Sequence, residues 1–216
     1  MRKIFIVFTL LIVFVSTTLA NLDDTIQTIY EDKEFKTQYI TRLKVSSKVA
    51  SETADYLVSD FHNSPDNLFN WALKDLGLQS KNNEIVFVLQ SSITDGKTGI
   101  THGKFDIVVP HFTTFKNIKV DAIVKRDKTN SREIKADADI IYSSTLLKNA
   151  AGSITFVPTN NNEYQVITNV KIKFGWFFNI FITKKRYKSI VEWRIKKFTD
   201  NIKEECLRRQ NLEQAK

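Results

Sequence analysis

The chain contains few of the residues that cross-link or interrupt a fold. Its 216 residues include one cysteine, three prolines and six glycines. The lone Cys206 excludes an intrachain disulfide, so stability must come from the packed core, and its spacing predicts burial in the last helix. The scarcity of glycine and proline gives no sign of a linker or a second domain. No histidine stands at zinc-binding spacing from another histidine or from Cys206, so we expect no metal and no cofactor.

The N-terminus has the three parts of a secretory signal peptide. Arg2 and Lys3 form the charged start, residues 4–15 are an apolar run, and residues 16–20 are a small, polar exit that ends at Ala20. We therefore expect residues 1–20 to be removed and the mature protein to be periplasmic or secreted. The alternative is a retained membrane anchor, although an apolar run of 12 residues is short for a bilayer core that needs about 20.

Hydrophobic periodicity predicts the elements of one domain. After an N-terminal lead, residues 21–34, apolar and polar residues alternate over 35–45, which is typical of a strand. A helix follows from Ser46 or Ser47 to about Phe61, and a second helix begins at Ser64-Pro65 and ends at Gly77. Six further strands occupy about ninety residues from Glu84. A long amphipathic helix from about residue 184 ends the chain.

This order of elements resembles the START-like, or helix-grip, superfamily, which includes polyketide cyclase/dehydrase-type proteins and the birch-pollen allergen. Residues 174–178 and 194–203 also resemble the last strand and helix of bacterial members. The resemblance covers residues 35–208 by element order and the tail alone by residue pattern, and we expect residues 35–216 to form a single START-like domain. It implies an α+β fold in which a curved antiparallel sheet of about seven strands wraps around the C-terminal helix, with an apolar cavity between them.

We expect this cavity to hold a hydrophobic or lipid-like ligand, and we find no catalytic motif. Tyr142 or Tyr164 would orient a polar end of the ligand. The walls are predicted from the apolar positions of the strands, and the lid from the stripe of the last helix. The wall residues are Phe105, Ile107, Ile118, Val120, Ile134, Ile140, Tyr142, Tyr164, Val166 and Ile172, and the lid residues are Val191, Ile195, Phe198 and Ile202. The same residues could instead fill a solid core.

The aromatic run of residues 174–182 permits a second hypothesis. One strand face cannot bury all of it, so it either packs the start of the helix or forms an exposed apolar surface. Basic residues follow at once, and an anionic membrane attracts such a combination. The candidate contact residues are Trp176, Phe177, Phe178, Lys184, Lys185 and Arg186. In this alternative the protein is an envelope interaction domain that contacts a membrane or a partner protein.

The sequence also bears on two further classes of function, nucleic-acid binding and catalysis. A formal net charge of +8 is compatible with nucleic-acid binding, but the basic residues are spread over strand faces and export removes that partner. Asp137 and Asp139 are separated by one residue on a strand and alternate with apolar partners as solvated residues do. A cyclase-like or hydrolase-like enzyme remains an alternative if polar groups converge inside the cavity.

Overall fold

The computed structural model describes residues 24–76, 86–109, 111, 113–127, 132–144, 147–160, 162–176, 179 and 182–215. The predicted signal peptide lies outside these residues. The strands are β1 Thr25–Glu31, β2 Glu34–Lys44, β3 Val86–Thr94, β4 Ile100–Val109, β5 Thr113–Asp127, β6 Ile134–Ser143, β7 Leu147–Asn160 and β8 Glu163–Phe174. The helices are α1 Ser47–Asn63, α2 Pro65–Asn70, α3 Lys184–Tyr187 and α4 Trp193–Gln214, with a π-helical turn, Lys188–Glu192, between the last two.

The described strands form one antiparallel sheet in the order β1-β2-β8-β7-β6-β5-β4-β3. Strands β3 to β8 form a meander, whereas β2 pairs with β8 at the far side of the sheet from β3. Helices α1 and α2 therefore carry the chain across one face, where α1 contacts β5 and β6. The predicted α+β helix-grip fold is confirmed, with eight strands instead of about seven.

The additional strand is β1, which lies in the segment read from sequence as an N-terminal lead. It forms an edge hairpin with β2 in which Thr25 pairs with Ile40 and Glu31 pairs with Glu34. The hairpin turns through Asp32 and Lys33, both at positive φ (52° and 62°), which is the backbone of a type I′ turn. Alternation in β1 is weak because an edge strand has no continuous buried face, and the sequence pattern missed it for that reason.

The sheet is curved because irregularities in register interrupt several ladders. Shifts occur between Leu89 and Ser91 and between Phe105 and Ile107 at the β3–β4–β5 end, and between β5 and β6 after Asp121. An extra residue in one strand bends it and increases its twist. The bends make one face of the sheet concave, and the helices occupy that face.

The main core lies where α1, α2 and α4 meet the concave face. It contains residues of all three helices and of β2 and β6 to β8. The buried members include Val49, Ala50, Ala54, Leu57, Leu68, Ala136, Ile154, Phe156, Tyr164, Val166, Ile202 and Cys206. Ser46 caps α1 by accepting a hydrogen bond from the backbone N–H of Val49, as the sequence predicts.

Helix α2 is shorter than predicted, because it ends at Asn70 instead of at Gly77. The Trp71 indole Nε1 donates a hydrogen bond to Asp60 of α1 at 2.9 Å, and the backbone of Trp71 leaves the helical region. Asp75 then adopts a positive φ of 66°. Residues 71–76 are consequently a turn that lies against the neighbouring helices, and we call them the 71–76 segment.

Helix α3 is fixed to the sheet by Tyr187. Thr183 caps this helix through the backbone N–H of Arg186, and the Tyr187 ring stacks on Phe35 of β2 with 3.9 Å between ring centroids and 8° between planes. The Tyr187 hydroxyl also accepts a hydrogen bond from Thr37 at 3.2 Å. Burial raises the pKa of Tyr187 to about 12, so this hydroxyl stays protonated.

A polar network fastens α4 to the β1–β2 edge of the sheet. Asp24 accepts hydrogen bonds from the hydroxyls of Thr41 and Tyr39, and Lys203 of α4 donates to Thr41 Oγ1 at 2.7 Å. Desolvation alone would raise the pKa of Asp24. The hydrogen bonds from Thr41 and Tyr39 and the ammonium groups of Lys203 and Lys196 outweigh it, so the pKa lies below its ordinary value.

The C-terminal half of α4 buries one carboxylate and one thiol. Glu205 is 8% exposed and accepts hydrogen bonds at 2.7 Å from Arg208 and Arg209. The hydrogen bond from Arg208 is the largest reason why the pKa of Glu205 lies below its ordinary value. Cys206 is fully buried, as predicted, and burial raises the pKa of its thiol to about 11. This thiol is therefore protonated and unreactive at neutral pH.

Candidate functional site

Two cavities lie between the concave face of the sheet and the helices. The first has a volume of about 280 Å³ and lies under α2, and the second has a volume of about 300 Å³ and lies under α4. We call them the α2 cavity and the α4 cavity. Leu73 and Leu76 of the 71–76 segment line both cavities, so the two are neighbours separated by these side chains.

The walls of the α2 cavity are almost entirely apolar. The residues that line it come from α1, α2, the 71–76 segment and strands β3 to β6. They are Phe61, Pro65, Leu68, Phe69, Leu73, Leu76, Leu89, Ser92, Thr101, Gly103, Phe105, Val120, Ala122 and Ile140. Ser92 and Thr101 supply the hydroxyl groups among them, and the Thr101 hydroxyl is hydrogen-bonded to Thr94 at 2.8 Å. This cavity offers water few partners, whereas it suits an apolar chain or ring.

Gly103 determines where one aromatic wall of the α2 cavity stands. A Cβ atom on Gly103 would lie 2.7 Å from Cε2 of Phe105, closer than real side chains approach. The edge of the Phe105 ring therefore occupies the space that a side chain at position 103 would need. A larger residue at position 103 would push the ring toward the cavity.

The floor of the α4 cavity is made by small residues at the centre of the sheet. Ala138 of β6, Gly152 of β7 and Val170 of β8 are in register across three strands, and Ala136 and Ile154 form part of the next row. Gly152 brings no side chain to the concave face. The cavity exists because alanine and glycine stand where the main core has phenylalanine and tyrosine.

The roof of the α4 cavity comes from the helices. Leu57 of α1 and Ile195 and Phe198 of α4 are its apolar members, and Arg194 of α4 also lines it. Asp137 also lines this cavity, but its carboxylate pairs with Lys135 at 3.0 Å, and alternation places both of these side chains on the other face of the sheet. The walls of the α4 cavity, like those of the α2 cavity, are therefore mainly apolar.

Two threonines form a buried hydrogen-bonded pair beside the α4 cavity. Thr199 of α4 donates its hydroxyl proton to the carbonyl of Ile195 at 2.8 Å, so the 2.7 Å bond between Thr168 and Thr199 must be donated by Thr168. Thr168 lines the cavity, and its oxygen retains acceptor capacity. This group can accept a hydrogen bond from a ligand and cannot donate one.

Asn201 holds the segment that separates the two cavities. This residue of α4 is 3% exposed, and its Nδ2 donates hydrogen bonds to the carbonyls of Ala72 at 3.1 Å and Lys74 at 2.9 Å. Both carbonyls lie just past the end of α2 and have lost helical partners. Asn201 therefore fixes the backbone on either side of Leu73, two residues before Leu76.

The predicted ligand residues are divided between cavities and core. Phe105, Val120 and Ile140 line the α2 cavity, while Ile195 and Phe198 line the α4 cavity. The others are not among the lining residues of either cavity. Tyr164, Val166, Ile202 and the partly buried Ile134 belong to the main core, Ile107 and Ile118 form a second small core, Ile172 and Val191 are half-buried, and Tyr142 is 51% exposed.

Those of the predicted contact residues that the structure describes line neither cavity. Trp176 is 81% exposed, and Lys184, Lys185 and Arg186 of α3 are exposed. Lys184 places its Nζ 5.0 Å from the centroid of the Tyr30 ring. Phe177 and Phe178 lie outside the described residues. No helix in the described part of the chain is long and apolar enough to cross a membrane.

The ionisable side chains in and around the cavities bear on whether the site could support catalysis. Within the described ranges, no three histidine, cysteine, aspartate or glutamate residues cluster as metal ligands would. His102 Nδ1 and Asp121 Oδ1 are 2.8 Å apart, but the His102 side chain is 55% exposed and neither residue lines a cavity. His62 contacts the carbonyl of Val124 at 2.7 Å.

Sequence reasoning missed the residues that create the empty space. Large apolar side chains were assigned to the cavity walls, whereas Ala136, Ala138 and Gly152 leave the volume under α4. The run Ala150-Ala151-Gly152 inside a strand pattern was the available signal, because glycine in a strand often marks close approach of another group. Arg194, which also lines the α4 cavity, was missed because only apolar residues of the last helix were assigned to the ligand site.

Comparison with known proteins gives structural neighbours alone. No family model matches the chain, and no curated protein matches it. Similar solved structures include a START superfamily protein from Mycobacterium smegmatis (10% identity, 80% of this chain and 97% of that chain, TM-score 0.47). Norcoclaurine synthase from Thalictrum flavum, in complex with dopamine and hydroxybenzaldehyde, is another (13% identity, 86% of this chain and 89% of that chain, TM-score 0.47). We draw no conclusion about function from similarities of this strength.

The role of Asn201 can be tested by removing its amide. We expect Asn201→Ala to lower the free energy of unfolding by about 1–3 kcal/mol, the usual cost of leaving buried polar groups without partners. Amide hydrogen exchange in residues 71–76 should also become faster. Glu204→Ala, at an exposed position of the same helix, is the control and should change stability by less than about 0.5 kcal/mol. Unchanged exchange in the 71–76 segment would contradict the proposed role.

Proposed function

We propose that this protein binds a small hydrophobic or lipid-like molecule in the adjoining cavities and does not transform it. The observation that carries this proposal is the pair of cavities of about 280 and 300 Å³ with mainly apolar walls. Ligand sites in proteins are typically about 300–1,000 Å³, so each cavity lies near the lower end and the two together lie well inside the range. The driving force is removal of apolar ligand surface from water.

The expected affinity follows from the buried area. Transfer of apolar surface contributes about 25 cal/mol per Å², so a ligand that buries on the order of 250 Å² gains about 6 kcal/mol before the costs of association. The walls are held by the packed core and by Asn201 and need little reorganisation. A gain of about 6 kcal/mol corresponds to a Kd of about 40 μM before those costs, so the expectation for a ligand that fills one cavity is a Kd of tens of micromolar or weaker.

The binding proposal can be tested with the neutral fluorescent probe N-phenyl-1-naphthylamine. We expect saturable binding to the wild type. Gly152→Leu adds a side chain to the α4 cavity and Ala122→Leu adds one to the α2 cavity, and at least one of them should weaken binding about tenfold by occupying the site. Native mass spectrometry of the wild type should also detect a co-purified lipid.

Ala151→Leu is the matched control for this experiment. Ala151 neighbours Gly152 on β7, but alternation directs its side chain to the opposite face of the sheet. The substitution therefore adds the same bulk outside the cavities and should change probe affinity less than about twofold. The binding proposal fails if the wild type shows no saturable binding, or if the cavity variants bind as the control does.

We also propose that the protein is exported. The charged start, the apolar run and the exit at Ala20 support this assignment. Expression of the full sequence should yield an extracytoplasmic protein whose intact mass begins at Asn21. Ala20→Tyr places a bulky residue at the cleavage position and should retain the uncleaved form, whereas Ser16→Thr should be processed normally. A wild-type protein that keeps residues 1–20 would instead support a membrane anchor.

A second candidate function is contact with an anionic membrane. It is favoured by Trp176, which is 81% exposed, and by the exposed cations of α3. We expect the protein to co-sediment with phosphatidylcholine vesicles that contain about 30% phosphatidylglycerol, with attraction that falls in 0.5 M salt. Trp176→Ser should reduce binding several-fold, and Trp193→Ser, at a 45% exposed position on α4, is the control. Equal losses in both variants would argue against a specific contact at Trp176.

A further inference from the structure

The polar residues on the sheet side of the α4 cavity direct their side chains away from it. Asp137, Ser153 and Asn169 are in register on β6, β7 and β8, next to the row that forms the cavity floor. Because side chains alternate along a strand, the two rows point to opposite faces of the sheet. On the far face, Asp137 pairs with Lys135 at 3.0 Å, and Asn169 accepts a hydrogen bond from Gln38 at 2.9 Å. These residues therefore offer no side-chain partner to a ligand in the cavity.

The other polar side chains that line the α4 cavity are engaged within the protein. Thr168 uses its hydroxyl proton in the bond to Thr199, whose own proton goes to the carbonyl of Ile195. Arg194 also takes part in an interaction within the protein. Among the described lining residues, an anionic group would therefore meet neither a free hydroxyl proton nor an available counter-ion, and a cationic group would meet no unpaired carboxylate.

The α2 cavity has no ionisable side chain among its described lining residues. Its hydroxyl groups belong to Thr101, which is bonded to Thr94 at 2.8 Å, and to the half-buried Ser92. Burial of an unpaired charge costs far more than burial of a neutral hydroxyl, because the charge loses much stronger hydration. The described walls of both cavities thus penalise a charged ligand and tolerate a neutral one.

We propose that the ligand enters these cavities as an uncharged molecule, of the long-chain alcohol, hydrocarbon or isoprenoid class, and that ionised fatty acids are excluded. This inference rests on the proposed function, because it requires the cavities to be occupied. It adds the chemical class of the ligand, since apolar walls alone would accept the chain of a neutral molecule and that of an anionic amphiphile equally. Selection acts through the cost of dehydrating a charge and not through contact with a head group.

The test measures how two probes of equal chain length, 1-decanol and decanoate, displace N-phenyl-1-naphthylamine from the wild type. At pH 8 we expect decanol to displace the dye and decanoate to bind at least about tenfold more weakly, because its carboxylate must be dehydrated without a counter-ion. As the pH is lowered toward the carboxyl pKa of the probe, the neutral fraction grows. The apparent affinity of decanoate should then rise about tenfold per pH unit, while that of decanol should stay constant.

Two lysine variants test whether the missing counter-ion is the cause. Ala138→Lys places an ammonium group in the α4 cavity, and Ala122→Lys places one in the α2 cavity. In at least one of them, decanoate should gain about tenfold or more in affinity relative to decanol, the usual effect of a new charge-assisted hydrogen bond. Ala151→Lys adds the same charge on the opposite face of the sheet and should leave the ratio of the two affinities unchanged.

The outcomes separate this inference from the proposed function. If the wild type binds decanoate at pH 8 as tightly as decanol, if decanoate affinity does not follow pH, or if decanol fails to displace the bound dye, the neutral-ligand inference is overturned while the cavities remain a binding site. Unchanged affinity ratios in both cavity variants overturn it as well. If neither the dye nor decanol binds the wild type, both proposals fail. The pH series uses the wild type alone, so it tests the inference even where the lysine variants do not fold.

Discussion

The structure depends on how α4 docks onto a concave antiparallel sheet. Ile195, Ile202 and Cys206 are buried along one stripe of the helix, and the polar network at Asp24 fastens the same helix to the sheet edge. Bulges in the ladders curve the sheet so that a straight helix cannot touch it equally along its length. Contact is therefore close at the main core and looser elsewhere, and the α4 cavity lies in the looser region.

Side-chain size decides which part of the concave face is solid. Phe156 and Tyr164 meet edge to face in the main core with 6.4 Å between ring centroids, and there the space under the helices is filled. Farther along β7, Gly152 replaces such a side chain, and Ala138 stands opposite it on β6. A core packed to ordinary density would have large residues at these positions. Their absence costs dispersion contacts, and an apolar ligand can restore those contacts.

The sequence allowed the fold class to be predicted, because long elements carry strong periodicity. The stripe Val191 to Cys206 and the alternation in β5 and β6 placed the last helix against a half-buried sheet. Strand β1 was missed because an edge strand lacks a continuous buried face. The end of α2 was misplaced because the side chains of Asp60 and Asn201, distant in sequence, stabilise the turn that follows Asn70. Hydrophobic patterns identify which residues avoid water, but they do not reveal where volume is left between them.

Three residues of α4 connect the wall of the α4 cavity to the segment that divides the two cavities. Arg194, Lys197 and Asn201 occur at spacings of three and four residues, so they lie along one side of the helix. Arg194 lines the α4 cavity, and the other two hold the 71–76 segment, which divides the cavities through Leu73 and Leu76. A displacement of α4 would therefore move part of the cavity wall and the dividing side chains together. Because Lys203 bonds to Thr41 and Lys196 pairs with Asp24, the same helix is anchored to the sheet edge, and from this position it supports both the wall of the α4 cavity and the segment that divides the cavities.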